Sequence, residues 1–249
     1  MISLQSQPGT HVHRSSQQRD SVFDPLAARL TALASLSADD RAALAQLVSR
    51  EAVVGTHTDL VRDGEAAETA FLVLEGIACR YLQTAAGPRQ ILTLLLPGDL
   101  CDVDLIYMER WDHGVATLSP CRVAQVPRVT LEDLIFTHPT IEMALRRAKL
   151  EAEARSRNWL TALGVRVAAE RLARLLCEIV DRLHAVGLAD RNACSLPLTQ
   201  VDLAECIGVT IVHMNRTLRE LRGTNLIELK GRRLRILDRA GLEALAGGL

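Results

Sequence analysis

Three kinds of hydrophobic spacing follow one another along the chain. Between residues 24 and 50, Leu26, Leu30 and Leu33 recur at helical intervals, and Ser37 with Asp40 three residues later makes a capping box ahead of RAALAQLV, so helices are predicted here. From 51 to 127 the period shortens. Apolar runs such as AFLVLEG, ILTLLLPG and CRVAQVP alternate with turn residues at Asp63-Gly64, Gly76, Gly87-Pro88, Pro97-Gly98 and Pro120, the texture of an antiparallel roll or barrel. From about residue 130 the spacing is helical again.

Within residues 138–164, Ile141, Leu145, Ala148, Ala152, Arg155, Trp159 and Ala162 are separated by steps of four and three, a heptad seam with Arg155 as its one polar member. A seam on a solitary helix wants a partner helix; the alternative is one face packed on the chain's own roll. The next helix, VAAERLARLLCEIVDRLHAV, ends near Gly187 and gives way to the loop ADRNACSLP.

Thr199 and Asp202 form a second capping box, opening a helix to about Ile207. Gly208 permits the left-handed turn that ends it, and Thr210 caps another helix to about Leu221. Leu203, Ala204, Ile207, Val209, Met214 and Leu218 fall where inward residues are needed, which is helix-turn-helix patterning. The free face then carries Ile211, Val212, Asn215, Arg216 and Arg219. At once follows the hairpin LIELKGRRLRIL, turning at Gly231 with Lys230, Arg232, Arg233 and Arg235 about its tip.

Composition narrows the function. The chain has 249 residues, room for two domains, and a formal net charge of −1, so contact with nucleic acid must come from a local patch. Residues 165–249 carry 13 Lys and Arg against 10 Asp and Glu, whereas the first 164 carry 16 against 20. The patch is therefore expected in the C-terminal third, where the capped helix pair and basic hairpin point to double-stranded DNA as the partner, the alternative being a winged domain used for protein contacts. Arg can bond guanine in bidentate fashion and Asn adenine, so Ile211, Val212, Asn215 and Arg216 are the candidate base readers. Thr199, Thr210, His213, Arg219, Lys230, Arg232 and Arg233 are candidates for phosphate contacts, which set register.

The six cysteines, Cys79, Cys101, Cys121, Cys177, Cys194 and Cys206, stand singly, with no metal-ligand spacing, and are expected as reduced thiols. No window approaches the ~18 apolar residues of a spanning helix, so a soluble cytoplasmic protein without a membrane partner is expected. The first 23 residues are polar and aperiodic and are expected to form a disordered tail, where His11 and His13 are expected to hold no metal. No nucleophile elbow surrounds Ser119 or Ser195 and no glycine-rich phosphate loop occurs, so an enzyme is not expected.

LTQVDLAECIGVTIVHMNRTLRELRGTNLIEL, with FLVLEG and LLPGDL upstream, resembles the CRP/FNR superfamily of bacterial transcription regulators over about residues 24 to 240. The resemblance implies an α+β homodimer with a cyclic-nucleotide-binding-like sensor β-roll (24–137), a dimerisation helix (138–164) and a winged helix-turn-helix domain (165–249) on a two-fold symmetric operator. Ile141, Leu145, Ala148, Ala152 and Trp159 would form the dimer seam. Arg216 matches the guanine-reading arginine of the family and Asn215 the neighbouring variable reader. Val212 stands where many members have a base-contacting glutamate; valine packs on a thymine methyl instead, which implies a different half-site. RNA polymerase is a further expected partner.

The sensor half departs from the family. Its cyclic-nucleotide cassette opens Gly-Glu-Leu and closes on an Arg-Ser or Arg-Ala pair; here it opens Gly98-Asp99-Leu100, and Trp111-Asp112 falls at the closing pair, with Arg110 one position off. Asp99, Asp102, Asp104, Glu109 and Asp112 would repel a phosphate unless arginines converge on them, so cyclic AMP is not the expected signal. Gly98, Asp99, Leu100, Cys101, Trp111, Asp112 and His113 are the candidate sensor-pocket residues. No cysteine precedes Cys79, which argues against the iron-sulfur cluster of the oxygen-sensing branch. His57 and His113 are conceivable haem ligands, but hydrogen-bonded structural histidines are expected, and no cofactor is predicted. Asp112 is placed to orient His113 or to tie its loop to the long helix, and Cys101 is the candidate redox thiol. A sensing regulator is the leading reading, and a ligand-independent DNA-binding regulator with a roll serving only as scaffold is the alternative.

Overall fold

The capping box at Ser37 forms as the spacing predicts: Ser37 Oγ accepts from the Asp40 amide at 3.0 Å while Asp40 accepts from the Ser37 amide at 2.9 Å. In this computed structural model residues 25–47, 50–83 and 89–247 are described. The expected tail and the turn residues Gly87-Pro88 lie outside them. Helix α1 (residues 25–31) and α2 (Ala38–Gln46) precede eight short strands, β1 (Arg50–Val54), β2 (Asp59–Val61), β3 (Thr69–Glu75), β4 (Ala78–Gln83), β5 (Arg89–Leu95), β6 (Leu100–Cys101), β7 (Gly114–Thr117) and β8 (Cys121–Pro127).

The strands form two antiparallel four-stranded sheets, ordered β1-β8-β3-β6 and β2-β7-β4-β5. Ala70, Phe71, Leu72, Val73 and Leu74 in β3 are all buried, because that strand is covered on both faces. One core unites them with Leu26 and Leu30 of α1, Leu44 of α2 and Trp111. Gly98, at φ +90°, makes the turn between β5 and β6, and a Cβ there would stand 2.6 Å from the Pro25 carbonyl. Only glycine lets α1 approach this closely.

After α3 (Arg128–Thr137), α4 (Pro139–Val165) runs for 27 residues with a proline in its first turn. Its heptad seam turns inward. Ile141 and Leu145 are buried in the roll core, Ala148 packs against it, and Ala162 is buried lower down. Trp159 packs against the core shared with the C-terminal domain. Ile141, Leu145 and Ala148 thus pack on the chain's own roll, while Ala152, Arg155 and Trp159 further along are half-buried. The exposed apolar residues of α4 are instead Met143 (49 %), Leu150 (55 %) and Leu160 (73 %). Met143 and Leu150, one heptad apart, lie about half a turn around the helix from Ile141 and Leu145.

The C-terminal region comprises α5 (Ala168–Ala185), β9 (Ala193–Ser195), α6 (Gln200–Ile207), α7 (Ile211–Gly223), β10 (Ile227–Lys230), β11 (Arg233–Ile236) and α8 (Arg239–Leu245). Leu172, Leu176, Ile179 and Val180 of α5 form the centre of a core that also contains Ile77, Cys79, Ile91 and Leu94 from the roll. The boundary expected at residue 165 therefore passes through a shared hydrophobic interior. Helix α8, not predicted from the spacing, is capped by Asp238, whose side chain accepts from the Gly241 amide, and buries Leu242.

Candidate functional site

Helices α6 and α7 are built by local chemistry. Thr199 caps α6, its hydroxyl accepting from the Asp202 amide at 3.1 Å and donating to Asp202 Oδ2 at 2.7 Å. Gly208, at φ +65°, ends the helix. Thr210 caps α7 by accepting from the His213 amide at 3.3 Å. Leu203, Ala204, Ile207, Met214 and Leu218 are buried, and Val209 packs against the same core. These are the expected inward positions.

The opposite face of α7 is open. Val212 is 77 % and Ile211 45 % exposed; Arg216 and Arg219 are exposed, while His213 and Asn215 are half-buried. Beside it, β10 and β11 make the wing, continued into a three-stranded sheet by β9, with Gly231 at φ +57° in the turn. Glu228 occupies two of the wing cations, Lys230 at 2.7 Å and Arg235 at 3.5 Å, and these neighbours lower its pKa. Among the described residues no salt bridge engages Arg216, Arg219, Arg232 or Arg233. Thr199, by contrast, already uses its hydroxyl within the capping box.

A cavity of about 260 Å³ opens between the roll, α1, α4 and α5. Of the candidate sensor residues, Gly98, Asp99 and Leu100 line it; Cys101, Trp111, Asp112 and His113 do not. Trp111 is core, meeting His113 edge to face at 5.4 Å. The acidic loop is not left repulsive. Arg29 of α1 and Arg182 of α5 both bond the Asp99 carboxylate, and Arg80 of β4 stands 3.7 Å from Asp102. Arg155, the polar member of the seam, also faces the cavity, where burial and the nearby Arg182 and Arg29 lower its pKa. Arg29, Arg80 and Arg182 gave no motif in the sequence, since they converge from three separate elements; Arg155 alone was signalled, by interrupting an apolar stripe.

His57, a conceivable haem ligand, serves another purpose. Its Nε2 is 2.9 Å from Asp202 Oδ1, and Arg89 donates to Glu205 at 2.8 Å, so the roll grips α6. Gln90 adds a bond to the Glu205 carbonyl at 2.7 Å.

Comparison with known proteins bears on both halves. Residues 51–138 match the family described as "Cyclic nucleotide-binding domain" and residues 170–245 the "Crp-like helix-turn-helix domain". The chain is 27 % identical over 214 residues to the transcriptional activator protein FnrA of Stutzerimonas stutzeri, covering 86 % of this chain and 87 % of that one. It belongs to the CRP/FNR superfamily of bacterial transcriptional regulators.

Other CRP/FNR relatives agree. The nitrogen fixation regulation protein FixK of Azorhizobium caulinodans is 28 % identical over 214 residues, with 84 % and 86 % of the two chains covered. The structure of FixK2 from Bradyrhizobium japonicum has the same fold, with a TM-score of 0.70 at 24 % identity over 80 % of this chain and 98 % of that one. As a CRP/FNR protein the chain is a DNA-binding transcription regulator, and α6 and α7 are its helix-turn-helix pair. No helix among the described residues is long and apolar enough to cross a membrane.

Proposed function

We propose that this CRP/FNR regulator binds a two-fold symmetric operator as a homodimer and alters transcription in response to a signal received at the roll. The observation that carries this reading is the face of α7 holding exposed Val212 and Arg216 beside the exposed wing arginines Arg232 and Arg233, which no salt bridge among the described residues engages. Arg216 reads guanine, Asn215 reads the adjacent position, and Val212 with Ile211 packs on thymine methyl groups. Thr210, His213, Arg219, Arg232 and Arg233 hold phosphates, with Lys230 contributing less because Glu228 already neutralises it.

The two protomers meet along Met143 and Leu150 of α4, whose apolar side chains are about half exposed among the described residues. Cyclic AMP does not suit the roll: two arginines occupy Asp99, and Trp111 is buried where the family's phosphate-binding pair would stand. RNA polymerase is the further partner if operator binding activates transcription.

Selection of fragments from random DNA by the effector-free protein tests the reading. An inverted repeat with half-site centres about 10 base pairs apart is expected. Enrichment without repeat or sequence preference would exclude it.

A further inference from the structure

Cys101 ends β6, Asp102 follows it, and His113 precedes β7; ten residues lie between the second and the third. In an extended strand, neighbouring side chains point to opposite faces. Asp102 instead takes a left-handed φ of +54°, and its carboxylate comes round to the side of the Cys101 thiol. Cys101 Sγ, an Asp102 oxygen and a His113 ring nitrogen all lie within 4.8 Å of one another.

His113 is 8 % exposed, and its buried Nε2 has no hydrogen-bond partner. That nitrogen lies 3.2 Å from Asp102 Oδ2 without the alignment of a hydrogen bond. Two ligands each about 2.0 Å from a tetrahedral zinc ion stand about 3.3 Å apart, so the spacing suits a shared ion. The other ring nitrogen, Nδ1, is 2.6 Å from Asp112 Oδ1, the carboxylate-histidine arrangement that fixes a ligating imidazole. Arg80 Nε donates to Cys101 Sγ at 3.5 Å and so holds the sulfur in place beside the other two donors.

We infer that Cys101, Asp102 and His113 form a binding site for a zinc ion, oriented by Asp112 and Arg80. Sulfur, nitrogen and oxygen donors together match this borderline-soft ion, whereas a magnesium or calcium site would use oxygen alone. The charges balance: thiolate and Asp102 offset the two charges of the ion, and Asp112 offsets Arg80. On binding, the Cys101 thiol gives up its proton and the His113 Nε2 takes the metal in place of one. Asp102 and Arg80 also line the cavity described above, which gives the ion a way in. The site is independent of operator binding, and its test reads no DNA.

Cobalt(II) is the probe, added to the full-length, untagged, chelator-treated protein and then displaced with zinc. One equivalent is expected to give the near-ultraviolet thiolate-to-cobalt absorption and the intense visible bands of tetrahedral cobalt. Cys101→Ser is expected to lose the thiolate band, His113→Gln to weaken binding at least tenfold, and Asp112→Asn by roughly 10- to 100-fold. Zinc is also expected to raise the melting temperature of the unsubstituted protein, with no such effect from magnesium, a readout that does not depend on variants folding. Absence of the band and of the zinc shift, or a band that survives Cys101→Ser, would overturn the assignment.

Discussion

His57 Nε2 lies 2.9 Å from Asp202 Oδ1, joining the β-roll to the third residue of the first helix in the DNA-binding pair. Asp202 is fully buried and also completes the capping box with Thr199, so one carboxylate serves both the helix and the domain contact. His57→Ala is expected to cost about 0.5 to 1 kcal/mol, one hydrogen bond. Asp202→Ala is expected to cost more, about 1 to 3 kcal/mol, because the cap is lost and buried donors are left unpaired. Urea unfolding of the two variants checks the order; equal losses would mean that the cap contributes nothing beyond the contact.

Arg216 and Arg232 are expected to fail differently. Arg216→Ala should cost about 1 to 3 kcal/mol at one base pair of the operator and relax preference there. Arg232→Ala should weaken every sequence alike and lower the salt slope of binding by about one. Fluorescence anisotropy across operator variants and salt concentrations separates the two.

Charge on the exposed face of α4 should disrupt assembly. Leu150→Glu is expected to give monomers in sedimentation equilibrium and to lose operator affinity with them, whereas its exposed side chain leaves folding intact. A dimer that persists would place the interface away from Met143 and Leu150.

The Asp40 carboxylate accepts from the Ser37 amide and hydroxyl and lies 3.1 Å from His138 Nδ1. Those Ser37 bonds, then His138, outweigh burial and lower its pKa from the ordinary 3.8. The folded state therefore gains stability from this group above that pH and loses it as the pH falls through the depressed value. Asp40→Asn should flatten the acid limb of a stability profile measured by denaturant unfolding. An unchanged acid limb would assign the loss to other carboxylates.

Local chemistry in the sequence determined the capping boxes at Ser37 and Thr199, the left-handed turns at Gly208 and Gly231, and the burial of Met214 and Leu218 opposite Val212 and Arg216. Each depends on residues within a few positions of one another, where spacing and conformational preference carry the information. The tertiary structure alone decided which way the α4 seam faces, since a stripe of Ile141, Leu145 and Ala148 suits a partner helix or its own roll equally well. It also decided that Arg29, Arg80 and Arg182 neutralise the acidic loop, and that Cys101, Asp102 and His113 converge. Those contacts join residues distant along the chain. Their geometry follows from how strands and helices pack, and no periodicity encodes it.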